Sequence, residues 1–296
     1  MTSTDVTVRV ARKDDMKAVS DLTVNVGWHC RVEYLETMRQ ASPDGFFIAE
    51  KDDTIVGTAY AINHTDSLAS FGLSITKEEY RKQGIQRRLL QEQFQYAAGR
   101  NIGLNSVDQH RKEVYIKIGF KHVDFEIICY HGRVCHSTLP VFDKVAKNVI
   151  KILPISQIPF DSLVKYDSQI YPSERQEFLQ IWCQGRDVNT FIAMNENDEI
   201  VGYVNLMPMN DNDFYFSPLF AENSEIAEML MIISLHNLPD SAAVNMLAIK
   251  TNLEAVELAR KYNMCQELYT LYRQYTKEVL NLPVEKIFSL LSPAII

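Results

Sequence analysis

One short hairpin sequence occurs twice in this chain at nearly the same spacing, which restricts the fold to one that can be built twice. Phe47-Ile48-Ala49, a polar turn and Ile55-Val56-Gly57 return as Phe191-Ile192-Ala193 and Ile200-Val201-Gly202, at offsets of 144 and 145 residues. Gly119-Phe120 stands 144 residues before Asn263-Met264, and each pair closes a helical stretch. Three matches at almost one offset point to a duplicated domain. A length of 296 residues leaves each copy enough chain for its own core. The boundaries read as a first domain over 1–136, a connector over 137–150 with some helix, a second domain over 151–275, and a tail over 276–296. Ile287, Leu290 and Leu291 predict that the tail docks on the second domain.

Within the first copy, Val6 to Val10 reads as a strand, and Met16, Val19, Leu22 and Val26 recur at helical spacing. Phe71, Leu73 and Ile75 alternate as on a strand, and Ile85, Leu89, Leu90, Phe94 and Ala97 form one helix face. Asn101 to Asn105 is expected as a strand and Gln109 to Ile118 as a helix ended by Gly119. Phe120 to Tyr130 then closes the first domain as its last strand. In the second copy the same reading gives a strand at Lys151 to Ile155 and a helix at Ser173 to Trp182. Beyond its hairpin come a strand at Phe214 to Phe216, a helix at Glu225 to Leu235, a strand at Ala243 to Ile249 and a helix at Leu253 to Tyr262.

Charge narrows the partners. The chain carries 30 Lys and Arg against 38 Asp and Glu, a net of -8, which disfavours nucleic acid and anionic membranes as partners. The first 150 residues have a net of +1 and the remainder -9, so a polyanionic ligand belongs with the first copy. Five cysteines in no regular framework and no apolar run of membrane-spanning length predict a cytoplasmic protein with reduced thiols. Cys129, His131, Cys135 and His136 lack the two separated ligand pairs of a zinc site, and no metal is expected. Trp28 and Trp182 are candidates for ligand platforms, although isolated tryptophans near helix ends are more often core residues.

The chemistry concentrates in Arg81-Lys82-Gln83-Gly84-Ile85-Gln86-Arg87-Arg88, between a strand and an amphipathic helix. Unpaired N–H groups at a helix start, a glycine permitting close approach and four cationic side chains make an anion site. This turn resembles the acetyl-CoA-binding turn of the GNAT N-acetyltransferase superfamily, Arg/Gln-x-x-Gly-x-Gly/Ala. Arg81 and Gly84 match, and Gln86 replaces the final small residue. Tyr115-Ile116-Lys117-Ile118-Gly119-Phe120 is similar to the superfamily's Tyr-x-x-x-Gly-Phe segment, with Asp108 where Asn is frequent. Gly45 to Ala49, Arg100 to Leu104, Arg175 to Trp182 and Ser217 to Leu219 resemble a tandem-GNAT group of bacterial and nematode proteins.

The resemblance implies an α/β (α+β) fold of two tandem GNAT-like domains, each a mixed, mostly antiparallel sheet flanked by helices. It also implies an acyl-CoA-dependent N-acyltransferase that moves an acetyl group directly from acetyl-CoA, as co-substrate, to the amine of a small molecule bound between the domains. Tyr115 would be the general acid. Leu73, Ser74, Ile75, Arg81, Lys82, Gln83, Gly84, Ile85, Gln86 and Arg87 would bind the cofactor. No carboxylate lies on the strand before the turn, and Asp66 and His64 are the candidates for the base. At the 144-residue offset Arg81, Gly84 and Tyr115 fall on Glu225, Glu228 and Ala259, so the second copy reads as degenerate. The alternative is a non-catalytic acyl-CoA-binding or interaction protein retaining the fold.

Overall fold

A computed structural model describes residues 6–141, 150–185, 187–210 and 212–296. The first part of the chain forms β1 (Thr7–Val10), α1 (Met16–Asn25), α2 (Val32–Ala41), β2 (Phe46–Lys51), β3 (Thr54–Asn63), β4 (Leu68–Thr76), α3 (Ile85–Ala97), β5 (Asn101–Ser106), α4 (Gln109–Lys117) and β6 (His122–Arg133). It continues with β7 (Lys151–Pro154), α5 (Phe160–Ile170), α6 (Gln176–Cys183), β8 (Asn189–Met194), β9 (Ile200–Asn210), β10 (Asp213–Ala221), α7 (Ser224–His236), β11 (Ala243–Ile249), α8 (Leu253–Lys261), β12 (Gln266–Tyr275) and β13 (Ile287–Ser289). The helix expected in the connector falls mostly on residues 142–149, outside the described residues. The sequence reading overlooked α2, α5 and β12. The alternating Leu271, Arg273 and Tyr275 of β12 are all buried, so polar members hide its period.

The strands run β1-β2-β3-β4-β5-β12-β6-β11-β10-β9-β8-β7 in one continuous sheet, with β13 added on β10. Only β4–β5 and β10–β11 pair in parallel, at equivalent places in the two copies. The last strand of each copy is exchanged. β6 does not close the first copy as its position in the chain predicts; it pairs with β11 of the second, Ile127 opposite Ile249. β12 fills the vacated place beside β5, Tyr272 opposite Ser106, and also pairs with β6. The edges of β5 and β11 thereby find partners, and each copy is completed by the other.

Buried glycines fix the correspondence of the copies. A Cβ on Gly57 would meet the Ile75 carbonyl, Ile85 and Leu89, and one on Gly202 would meet the Phe220 carbonyl, Ile226 and Leu230. Similarly, Asp108 caps α4 through the Arg111 N–H and Asn252 caps α8 through the Ala255 N–H, 144 residues apart.

The tail begins on the second copy, where β13 pairs with β10 and the Leu290 N–H donates to the Leu247 carbonyl at 3.0 Å. It then crosses to the first. Ser292 bonds the Tyr34 hydroxyl at 2.8 Å, and Asn105 donates to the Pro293 carbonyl at 3.1 Å. Gly72 makes room for this crossing, since a Cβ there would overlap the Ala294 carbonyl.

Residues 1–136 expressed alone are expected to be insoluble or unfolded, because they lack β12 and leave β5 and β6 without their partner strands. Co-expression with 137–296 should restore a soluble complex with cooperative melting by circular dichroism. A monomeric, cooperatively melting 1–136 fragment would contradict the exchange.

Candidate functional site

The parallel pairing of β4 with β5 ends at Phe71 opposite Leu104, although both strands continue. Past that point β4 follows β3, Ile75 opposite Thr58, while Asn105 and Ser106 follow β12. The strands therefore part at their carboxyl ends, where α/β sheets place ligands. A cavity of about 390 Å³ opens there, bordered by Leu73 and Ser74 on one side and Asn105 and Ser106 on the other.

A bulge in β4 shapes this border. Tyr60 faces Gly72 while Thr58 faces Ile75, so β4 holds one residue more than β3 across the same span. Leu73 adopts φ +51°, a strained conformation for a branched side chain. The bulge corrects the simple alternation expected of Phe71, Leu73 and Ile75. Phe71 packs in the core under α3, whereas Leu73 joins the core on the opposite face.

Tyr115 reaches the cavity from α4, its ring edge-on to Phe120 with centroids 5.8 Å apart. Burial pushes the phenol above its ordinary pKa, and the nearby Arg111 and Ser74 oppose the shift. Such a group stays protonated at neutral pH.

The basic turn precedes α3. Gly84 has φ +80°, which glycine adopts without strain, and space is open where its Cβ would stand. The N–H groups of Ile85, Gln86 and Arg87 start the helix with no side-chain cap from Gly84. Arg81, Lys82, Gln83, Gln86 and Arg87 are exposed, while Ile85 is buried and offers only its backbone. Gln83 donates to the Glu79 carbonyl at 3.2 Å, and Gln86 accepts from the Thr76 hydroxyl at 3.1 Å. Among the described residues Arg81, Lys82 and Arg87 form no ion pair, whereas Arg88 is held by the Val6 carbonyl at 2.7 Å. Ile75 is a buried strand residue at the approach to this turn and does not border the cavity.

Part of the wall comes from the second copy and was missed in the sequence. Met209, Asp213, Tyr215, Asn245 and Tyr269 border the cavity together with His131 of β6. The legible signal was Asn245, a polar residue inside the otherwise apolar β11. The cavity also takes Trp28 from the α1–α2 loop, against the commoner core reading, whereas Trp182 is fully buried and donates to the Ser217 carbonyl. Cys129 lies beside the Tyr215 hydroxyl at 3.9 Å, and burial pushes its thiol up to about 11, far from a reactive thiolate. Among the described residues no three His, Cys, Asp or Glu side chains converge as metal ligands.

Neither candidate base reaches the cavity. Asp66 is an exposed turn residue 3.7 Å from Arg100. His64 bonds Ser70, packs against Tyr171 and Phe178, and faces Arg175 and Arg273. Burial, reinforced by the two arginines, lowers its pKa to about 3. The turn correspondence is also corrected. Ile85 follows Ile75 by ten residues, but Ile226 follows Phe220 by only six, so the second copy's turn is four residues shorter. Counting back from the helix, Arg81 and Gly84 fall on Glu222 and Glu225 rather than Glu225 and Glu228. Ala259 does match Tyr115: the Phe120 N–H donates to the Tyr115 carbonyl as the Met264 N–H does to that of Ala259, both at 3.0 Å.

One continuous mixed sheet built from two copies, each with a parallel strand pair that parts before its strands end, and with a basic turn in the first copy, defines an acyltransferase-type scaffold. The comparisons give the family. Residues 42–122 and 163–289 each match an acetyltransferase (GNAT) domain, and the chain belongs to the GNAT acetyltransferases, with two such domains in tandem. A holothin acyltransferase of Pseudoalteromonas sp. (strain SANK 73390) is 22% identical over 271 residues, covering 91% of this chain and 87% of that protein. An uncharacterised protein of Caenorhabditis elegans is 23% identical over 175 residues, 56% of this chain and 54% of that one. Among solved structures, a candidate acetyltransferase of Pyrococcus horikoshii superposes with TM-score 0.79 at 16% identity, covering 100% of this chain and 97% of that chain. Saccharomyces cerevisiae N-myristoyltransferase with bound myristoyl-CoA superposes with TM-score 0.62 at 10% identity, covering 99% and 90%. Both likenesses establish the shared fold.

His64 makes a pH-dependent contribution to stability. It is neutral when folded, while the unfolded chain takes up its proton near 6.5, so stability is retained above that pH and lost as pH falls toward 3. The loss approaches about 1.4 kcal/mol per pH unit. Stabilities from urea unfolding at about pH 6.5 and 5.5 should differ by about 1 kcal/mol, and His64→Gln should remove the difference. An unchanged difference would place the proton uptake elsewhere.

Proposed function

We propose that this chain transfers an acyl group, most simply acetyl, from acetyl-CoA to the amine of a small molecule bound between its two domains. One observation carries the reading: the same cavity is bordered by Tyr115 and the bulged Leu73-Ser74 backbone of the first copy and by side chains of the second. The relative named as a holothin acyltransferase supports acyl transfer, and the fold shared with N-myristoyltransferase supports a CoA thioester as donor.

The residues present fit that donor. Arg81, Lys82 and Arg87 carry charge beside the N–H groups of Gly84, Ile85 and Gln86, a combination suited to pyrophosphate. Gln83 holds the turn through Glu79, and Gln86 contributes its N–H while its side chain folds back on Thr76. Leu73, Ser74 and Ile75 present strand backbone along which a pantetheine arm can pair. The bulge leaves backbone donors free of a sheet partner, and these suit the carbonyl oxygen as charge develops on it. Tyr115 supplies the proton that the departing sulfur requires.

Calorimetric titration with CoA tests the donor site. The Arg81→Glu, Lys82→Glu double variant should lose CoA affinity by at least about tenfold without a change in melting temperature, since both side chains are exposed. Undiminished affinity would move the phosphate site elsewhere.

Tyr115→Phe tests the chemistry. Its kcat should drop by about a hundred-fold with KM nearly unchanged. The loss should shrink for an acyl donor with a more acidic thiol, which needs less protonation on leaving. Full rate in this variant would exclude Tyr115 as the acid. CoA binding without turnover for any amine would favour a binding role.

A further inference from the structure

Among the described residues bordering the cavity, Asp213 is the only carboxylate. It stands at the start of β10, in the second copy, and is half-buried. Asn245 donates to its Oδ1, and among the described residues no donor engages its Oδ2.

Asn245 is itself buried, and its hydrogen bonds fix its orientation. Its Nδ2 faces two acceptors, Asp213 Oδ1 and the Phe214 carbonyl at 3.2 Å. Its Oδ1 therefore accepts from His131 Nδ1 at 2.9 Å. This chain locks the carboxylate at the cavity wall. Among the described residues His131, Arg133 and Cys129 of β6, Tyr215 of β10 and His29 of the α1–α2 loop are the ionisable groups that interact with it. The same wall carries Tyr215 and Tyr269, hydroxyl to hydroxyl at 3.0 Å, and Trp28 borders the cavity too.

We propose that Asp213 is the acceptor site: it holds the ammonium form of a primary amine whose body is aromatic or apolar, and it takes the first proton from that nitrogen. The inference rests on the acyl-transfer reading above. A lone carboxylate in an aromatic cavity selects a cationic head on an apolar body. Burial, the main influence on this group, raises its proton affinity, which suits it to the task.

The proton accounting closes. Asp213 takes one proton from the ammonium and passes it to water. The freed nitrogen lone pair forms the C–N bond, and the C–S bond breaks with its electron pair on sulfur. Tyr115 gives that sulfur a proton and is reprotonated by the second proton leaving the nitrogen as the amide forms. The products are amide, free thiol and one released proton. Asn245 is a positioning residue.

The test measures acetyl-CoA turnover with tyramine, tryptamine and cadaverine, with CoA affinity titrated in parallel. Wild-type enzyme should prefer the two aromatic amines. Asp213→Asn should lose about a hundred-fold or more in kcat/KM with CoA affinity unchanged, and the acidic limb of the kcat/KM profile should disappear. Asp213→Glu should recover part of the activity. An Asp213→Asn variant within about threefold of wild type overturns the proposal, as does a wild-type enzyme that binds CoA and uses none of the three amines. Failure of wild type to bind CoA would instead refute the underlying reading. If Asp213→Asn does not fold, binding of tyramine and its neutral alcohol analogue tyrosol to wild type decides. Tyramine should bind at least about tenfold more tightly at pH 8, with the advantage vanishing as acid protonates the carboxylate. Equal affinities overturn the assignment.

Discussion

The placement of β12 between β5 and β6 is the constraint on which the rest of this molecule depends. A strand in the middle of a sheet satisfies hydrogen-bonding groups on both neighbours, and no other described segment is available to serve β5 on that side. Because β12 belongs to the second copy and β6 completes the first copy's pairing with it, neither half has a full complement of strands by itself. The reciprocal use of β6 on β11 makes the exchange mutual. The interface between the copies is therefore backbone-bonded sheet, far stiffer than the polar contacts that usually join domains. A cavity whose walls come from both copies needs that stiffness, since its ends would otherwise drift relative to one another.

The tail adds a second tie. It is a short antiparallel strand on β10, then a crossing over β4 and β5 that Gly72 makes possible, and Pro293 and Ala294 end as part of the cavity wall. A buried pair secures the helices behind it. Arg175 meets Asp167 with both oxygens engaged, at 2.8 and 2.9 Å, and its guanidinium lies 4.0 Å over the Tyr171 ring. Such a bidentate pair fixes the angle between α5 and α6 more through geometry than through net energy.

The basic turn and the cavity's Tyr115 were legible because their signals are local. A positive-φ glycine before a helix, a basic turn and a tyrosine five residues before a phenylalanine lie within short windows, and Gly84, Arg81 and Tyr115 were found that way. The part of the cavity wall that the second copy supplies was not, because its residues meet only after the strands are exchanged. His131 and Asn245 are 114 residues apart, and nothing in either segment announces the other. The same exchange explains why β6 was assigned to its own copy: a sequence shows that a strand exists, whereas pairing is decided by which edges remain open. Leu73 failed for a different reason, since one inserted residue reverses the facing of everything after it.

The two copies diverge where chemistry would require them to agree and match where packing would. Gly57 and Gly202 retain the same neighbours, and Asp108 and Asn252 retain the same cap, so the frameworks superpose. Yet the second copy's turn is four residues shorter and bears Glu222 and Glu225, and the buried Ala259 replaces Tyr115. Glu222 is paired with Lys286 of the tail at 2.7 Å, so the position answering to Arg81 now helps to hold the tail down. Losing the anion turn costs the second copy nothing structurally, because a short strand-to-helix connection is the easier one to close. Losing β12 would dismantle the first copy's sheet. Selection on a fold of this kind can therefore erase one of two basic turns while retaining the whole second domain, which still contributes Asp213 and its neighbours to the wall of the shared cavity.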